Sequence, residues 1–338
     1  MDDARPPHPF HRYGRCGAML LGSLFSGYGG LDLAVADVFD VDTAWHAEIE
    51  TAAVRVLRRH WPDAANLGDI GAVDWSAVPG VDILAGGFPC QDVSFGGGIT
   101  NGRAGITEKS RSGLWTEFAR AIGALRPQLV IVENVRGLYT APATVRALGP
   151  VRRVDGLRPL RAIEAVLGDL ADLGYDARWT SVRASTVGAP HQRARVFIAA
   201  WPATSHPDRL ELRRQRTHRS VASSAGTTRQ AVQPDPVDRR AAAARVLDPR
   251  WQQYAPTIAR WEAILGRPAP HPVAVNGRGN GCLDPRFAEW MMGLPAGWVT
   301  DTPGLTSGHM RRMLGNGVVP QQAALAIRHL LDLDAAPR

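Results

Sequence analysis

Four side chains in this 338-residue sequence stand where chemistry could be done, each beside a short apolar run. Cys90 follows V-D-I-L-A-G-G-F-P, a run bounded upstream by Pro79-Gly80 and downstream by Gly86-Gly87, the pattern of a buried parallel strand that ends in a tight loop. Pro89 fixes the approach to the thiol. A cysteine placed so is either a small buried hydrophobe or a nucleophile beyond the carboxyl end of a strand, where ligands gather in open α/β sheets. Glu133 closes the run Q-L-V-I-V-E-N, the expected central strand. A carboxyl group there is costly to bury unless it meets a partner, which points to function. In H-Q-R-A-R-V-F-I-A-A, alternation puts Arg193 and Arg195 on one face of a strand, so two guanidinium groups could share a site.

The elements that would position these groups read as an α/β domain. Residues Leu20 to Phe25 form a strand that feeds S-G-Y-G-G and then a helix through Leu31, Leu33, Ala34 and Val38. Glycines at such a turn let a ligand approach the backbone at the helix amino terminus, although a purely structural turn reads the same way. Gly27, Gly29 and Gly30 do not make the G-x-G-x-x-G spacing of a pyrophosphate site. The next strand, Thr43 to Ala47, leads to Glu48, about 20 residues on, where a carboxylate can accept from ribose hydroxyls. Glu50 starts the following helix and is expected to cap it. Asp69 is expected at the end of a third short strand. The combination suits a nucleoside and leaves no place for phosphates.

Further along, an amphipathic helix carries Leu114, Phe118, Ile122 and Leu125, and another runs from Leu160 to Leu173 ahead of a strand at Ala177 to Val182. Residues 139 to 159 read as an insertion, 1 to 18 as a flexible tail and 203 to 245 as semi-flexible. A helix carrying Trp251, Tyr254, Ile258, Trp261 and Leu265 reads as small-domain core. The closing helix, Gln321 to Leu333, should dock on the amino-terminal sheet.

Composition narrows the classes. Hydrophobic residues make up 45%, enough for one large domain or a large plus a small one. No run is long and apolar enough to span a bilayer, and three scattered cysteines (Cys16, Cys90, Cys282) give neither a disulfide framework nor a metal cluster. The net charge of +7 favours a polyanionic partner. Lys109 is the sole lysine. The arginine bias suits phosphate and guanine recognition and equally suits a GC-rich coding sequence.

F-S-G-Y-G-G, A-E-I-E, G-D-I, G-G-F-P-C-Q, E-N-V, Q-R-A-R and M-L-G-N-G-V-V-P occur in the order of the motifs of the cytosine-C5 DNA methyltransferases, which this chain resembles from Met19 to Leu331 outside the 139–159 insertion and most of 203–275. The resemblance implies a Rossmann-like S-adenosylmethionine-dependent methyltransferase fold with a mostly parallel sheet and a smaller target recognition domain. It implies a catalytic and cofactor-binding domain over 19–200, target recognition over 201–283, and a segment, 284–338, that returns to the catalytic domain. Cys90, Glu133, Arg193 and Arg195 would be catalytic. S-adenosyl-L-methionine, leaving as S-adenosyl-L-homocysteine, would be held by Phe25, Gly27, Gly29, Gly30, Glu48, Ile49, Asp69, Ile70, Pro89, Asn316 and Val318. DNA would be met by Gln91, Ser94, Arg103, Arg111 and Arg278, with the glycine-rich stretch after Cys90 closing over a flipped base. Three positions depart from the family's usual residues: Ile49 stands where many members have an aromatic at the adenine face, His191 where many have glutamine, and Gly317 where many have serine or alanine. The implied setting is a monomer on double-stranded DNA in a bacterial or phage-infected cytoplasm, with no membrane and no metal. Three rival readings remain: the RNA-modifying branch of the family, a non-catalytic DNA-binding protein on the same scaffold, and a nicotinamide-dependent oxidoreductase, which would leave the cysteine loop unexplained.

Overall fold

A computed structural model describes residues 17–89, 114–143, 147, 160–204, 249–275, 277 and 279–333. Nine strands are described: β1 (Met19–Leu24), β2 (Val41–Ala47), β3 (Ala65–Asn66), β4 (Ile83–Gly86), β5 (Leu129–Val135), β6 (Tyr175–Arg183), β7 (Ala194–Pro202), β8 (Val273–Val275) and β9 (Gly281–Leu283). The first seven form one sheet in the order β3-β2-β1-β4-β5-β7-β6. The strands from β3 to β5 run parallel, and β7 pairs antiparallel with both β5 and β6.

The described helices are α1 (Gly30–Val38), α2 (Thr51–His60), α3 (Trp115–Leu125), α4 (Ala162–Asp172), α5 (Ala255–Leu265), α6 (Pro285–Met291), α7 (Ser307–Asn316) and α8 (Pro320–Leu330). Both faces of the sheet are covered. Period-two alternation divides β5 between the two layers: Val130 and Val132 face α3 and α4, while Leu129 and Ile131 face α1 and α8. The closing helix therefore docks on the sheet that opens the chain, with Ala323, Ile327 and Leu330 packed among Met19, Leu21 and Val35. A third cluster gathers Trp251, Trp261, Phe287, Trp290 and Leu314 with Tyr28 and Val56.

Strand order locates the crevice. The chain leaves β1 toward β2 and β3 on one side, then returns to lay β4 and β5 on the other, so β1 and β4 are the neighbours at which the winding reverses. In such sheets ligands bind outside the carboxyl ends of the strands at that point. Leu24 pairs with Gly86, which sets the glycine turn after β1 beside the loop after β4. A Cβ on Gly86 would lie 2.8 Å from the Leu24 carbonyl oxygen, so glycine permits this approach.

Some elements differ from expectation. Asp69 is not at a strand end: β3 stops at Asn66, and Asp69 caps a short 3₁₀ turn, its carboxylate accepting from Gly71 N at 3.0 Å. Glu50 occupies the N-cap position of α2 without a side-chain cap; its own N–H donates to Glu48 instead. β5 runs two residues beyond Glu133, to Val135. Arg193 precedes β7 rather than lying within it. The run from Trp251 to Leu265 is interrupted at Gln252, where φ is 45°, and α5 begins only at Ala255, because Pro256 suits a first helical turn and cannot extend a preceding one.

The segment from 289 to 300 is organised by a carboxylate that the sequence reading passed over. Glu289, 1% exposed, accepts from Val299 N (2.6 Å), Gly297 N (2.8 Å), Thr300 N (3.0 Å) and the Thr300 hydroxyl (3.0 Å). Replacing it by alanine leaves several buried donors unmet at about 1–3 kcal/mol each, so Glu289→Ala should lower the unfolding free energy by about 3 kcal/mol or more in urea titration, and Glu289→Gln by less.

Candidate active site

Glu133 lies on β5 next to Val132, which pairs with Gly86 of β4. Its carboxylate therefore sits against the loop that leaves β4: a Cβ on Gly87 would fall 2.7 Å from Oε2, which explains the second glycine of G-G-F-P. The same loop is held from below by Asn134, a fully buried amide whose Nδ2 donates to the Phe88 carbonyl at 3.1 Å while its Oδ1 accepts from Val135 N at 2.8 Å. The sequence reading missed Asn134. The signal was an amide inside an apolar strand, which has to find hydrogen-bond partners somewhere.

Across the sheet Glu133 pairs in register with Phe197, so Arg195, two residues away on β7, shares its face. Arg195 Nε lies 2.8 Å from Glu133 Oε1, and each side chain is 13% exposed. Burial pushes the carboxyl above its ordinary range, while Arg195 and then Arg193 pull it back down. Arg193 does not join this pair through hydrogen bonds. Its guanidinium donates to the carbonyls of Gly315 (2.8 Å) and Gly317 (2.5 Å), which straps the start of β7 to the turn after α7. Both arginines thus act on Glu133 electrostatically, Arg195 from beside the carboxylate and Arg193, one residue before β7, from a side chain that is also anchored to the turn.

The glycine turn is built for close approach. Gly27 and Gly29 have φ of 56° and 79°, and Phe25 itself is at φ 54°, a conformation that strains a bulky residue and collects at functional sites. Glu48 binds the turn directly, Oε2 accepting from Gly27 N at 2.9 Å and Oε1 from Glu50 N at 2.8 Å. Beneath the turn, Ser23 donates to Asp32 at 2.9 Å, and His46 Nε2 lies 3.2 Å from the other oxygen of Asp32, a buried polar set under the loop. Ile49, next to Glu48, is 69% exposed, an aliphatic face open beside the turn.

Residues 19–233 match the family model of the C-5 cytosine-specific DNA methylases. The chain belongs to that family. Among its relatives, the type II methyltransferase M.NlaIV of Neisseria lactamica is 34% identical over 162 residues, 48% of this chain and 35% of the relative. M.NgoBV of Neisseria gonorrhoeae is 32% identical over 191 residues, 55% of this chain and 41% of the relative. The matched stretches thus span between about a third and two fifths of the length of these curated relatives. Two solved structures share the fold along nearly the whole chain. The S. pombe Dnmt2 methyltransferase has a TM-score of 0.56 and 14% identity, covering 94% of this chain and 100% of that one. The Entamoeba histolytica methyltransferase EhMeth has a TM-score of 0.57 and 13% identity, covering 94% and 99%. The Rossmann-like methyltransferase fold, with its mostly parallel sheet, is the fold of this chain.

The remaining positions fall as follows. Asp69 and Ile70 lie at the turn after β3, but the Ile70 side chain is buried, so it can offer a ligand only its main chain. Asn316 is exposed at the end of α7, and Val318 is buried with its carbonyl engaged by Tyr28. Pro89 ends the described part of the β4 loop. Cys90, Gln91, Ser94, Arg103, Arg111 and Arg278 lie outside the described residues.

His191, where many methylases of the family carry glutamine, has Nε2 3.0 Å from the Met291 carbonyl. Burial holds its pKa below the ordinary imidazole range. The folded protein thus keeps it neutral while the unfolded chain protonates it, and the stability it contributes is present above that range and lost as pH falls through it. Melting temperature should fall between about pH 7.5 and 5.5, around the ordinary histidine pKa of about 6.5, and fall less in His191→Gln. Parallel slopes for the two proteins would assign the pH effect to other groups.

Proposed function

We propose that this chain is a DNA (cytosine-5-)-methyltransferase that moves a methyl group from S-adenosyl-L-methionine to C5 of a cytosine drawn out of duplex DNA, releasing S-adenosyl-L-homocysteine. The observation that carries this reading is the Glu133–Arg195 pair, its carboxylate against Gly87 three residues before Cys90, on the strand next to the reversal point that holds the glycine turn. Membership of the C-5 cytosine-specific methylases supports it.

The residues around the turn fit the cofactor. Gly27 is open, with nothing within 4 Å of a Cβ built there, Ile49 presents an exposed aliphatic face, and the Glu48 carboxylate keeps lone pairs beyond the two main-chain bonds it accepts. Phe25, Gly27, Gly29, Gly30, Glu48 and Ile49, with the main chain at Asp69 and Ile70 and the turn at Asn316 to Val318, would hold it. When bound, S-adenosyl-L-methionine supplies an electrophilic methyl group on a sulfonium centre.

Cytosine C5 is a poor nucleophile and has to be activated. The thiolate of Cys90 adds to C6, and the electron pair of the C5–C6 double bond becomes enamine-like at C5. Free thiols have a pKa of about 8.5, which an arginine nearby would lower. Glu133, whose hold on a proton burial strengthens, would meet ring N3 and offset the charge that develops there. Arg195 orients that carboxyl and answers its charge when the proton is given up. Once C5 is methylated, a base takes the C5 proton, the electron pair returns to the C5–C6 bond, and Cys90 leaves as the thiolate. Because the target atom is stacked in a duplex, the base is flipped out first. Residues 201–283 are assigned to target recognition, and the protein is placed in the cytoplasm as a monomer on double-stranded DNA. Among the described residues no helix is long and apolar enough to cross a membrane.

Incubation with radiolabelled S-adenosyl-L-methionine tests the proposal, with duplex DNA and transfer RNA as parallel acceptors and bisulfite sequencing to locate the product. Label is expected in DNA alone; label confined to RNA would reassign the substrate. Cys90→Ala should bind S-adenosyl-L-homocysteine as the parent does and transfer no methyl group, so unimpaired turnover in that variant ends the covalent mechanism. Glu133→Gln should lose about 10²–10⁴-fold in kcat, the range of a positioned general acid.

A further inference from the structure

We propose that Tyr28 is a positioning residue that sets the spacing between the glycine turn and the turn after α7, and so the fit of the cofactor between them. This rests on the methyltransferase reading above and goes beyond it, since neither the sequence motifs nor the chemistry assigned Tyr28 a part. The residue sits inside S-G-Y-G-G with its side chain turned away from solvent, 1% exposed. Its hydroxyl donates to the Val318 carbonyl at 2.5 Å, and its own carbonyl accepts from Trp298 Nε1 at 2.9 Å.

Two glycines make room for the ring. A Cβ on Gly30 would lie 2.6 Å from Tyr28 Cε2 and 2.6 Å from the Val318 carbonyl oxygen. A Cβ on Gly317 would meet the ring at 2.0 Å (Cε1) and 2.3 Å (Cζ), and the hydroxyl at 2.6 Å. Gly317 has φ −76° and ψ −172°, backbone that any residue adopts, so glycine is required there for space and not for conformation. This accounts for a departure already visible in the sequence. Where many family members carry serine or alanine, this chain has glycine because an aromatic ring from the glycine turn fills the volume.

The turn so gripped is shared with the base-handling side of the site. Arg193 holds the carbonyls of Gly315 and Gly317, and Gln322 Nε2 holds the Arg193 carbonyl at 2.9 Å and that of Val182 at 2.8 Å. Tyr28 closes the same turn from the cofactor side. Burial keeps its phenol neutral, and Arg193, Glu133 and Arg195 lie near enough to act on it. The ring is thus a spacer between the two pockets.

The experiment compares the parent protein with Gly317→Ser, Tyr28→Ala and the double variant, reading S-adenosyl-L-homocysteine affinity by calorimetry and ligand-free thermal unfolding; Tyr28→Phe is taken through steady-state kinetics. Gly317→Ser is expected to stay folded yet lose about tenfold or more in affinity, on the scale of one well-placed interaction. The double variant should regain much of that loss and melt higher than Gly317→Ser. Tyr28→Phe keeps the ring and loses the bond to Val318, so KM for S-adenosyl-L-methionine should rise severalfold while kcat and KM for DNA hold. Undiminished affinity in Gly317→Ser, a double variant no better than Gly317→Ser, or an unchanged cofactor KM in Tyr28→Phe each overturns the proposal. A parent that binds no S-adenosyl-L-homocysteine, while the two positions still couple in thermal unfolding, refutes the methyltransferase reading and leaves Tyr28 a packing residue only.

Discussion

A carboxyl group near the end of a buried strand has to be answered by something, and in this chain the answer to Glu133 is Arg195. Taking either charge out of water costs several kcal/mol, which only a close partner recovers. The partner here comes from an antiparallel strand, β7, inserted between β5 and β6, and it arrives on the right face because its position is diagonal to Glu133 in the register. Much of the architecture follows from that requirement. β5 lies one strand away from the reversal of winding, so the carboxylate meets the β4 loop on one side and the arginine on the other.

The balance between burial and pairing also gives the carboxyl its chemistry. Burial alone would make Glu133 a permanent acid, and Arg195 alone would make it a permanent anion. With the two opposed, and burial the larger, the group holds a proton more readily than a free carboxylate yet has a cation beside it when the proton leaves. In the proposed mechanism, a residue that lends a proton to a ring nitrogen and then takes it back would draw on that intermediate character.

Much of this was legible in the sequence. The apolar runs gave the parallel strands, the glycines gave the turn, and Glu133 and Arg195 stood out as polar residues beside otherwise apolar runs. Illegible were the residues whose partners are main-chain atoms far away in sequence. Arg193 looked like a twin of Arg195, but its targets are the Gly315 and Gly317 carbonyls, which no alternation rule reveals. Glu289 drew no reading at all, because its four donors belong to a turn that has no pattern of its own. Tyr28 was hidden for a different reason. In a glycine-rich turn an aromatic reads as a variable position, and only the space a Cβ on Gly317 would need shows what the ring is packed against.

A common device underlies these cases. If, as proposed, the loops around the two pockets meet the cofactor and the base, they have to stay open to ligands, so apolar packing cannot fix them from both sides. They are instead held by side chains that bond to their main chain: Glu48 to Gly27, Asn134 to Phe88, Tyr28 to Val318 and Arg193 to Gly317. Bonds to a charged or buried partner are directional and costly to leave unmade, which is what a loop needs when it must hold a shape without being buried. Rigidity at this site is therefore carried by a few polar side chains rather than by the core. That is why conservative-looking changes at those positions, a serine for Gly317 or a phenylalanine for Tyr28, bear on ligand fit more directly than changes of similar size in the hydrophobic layers.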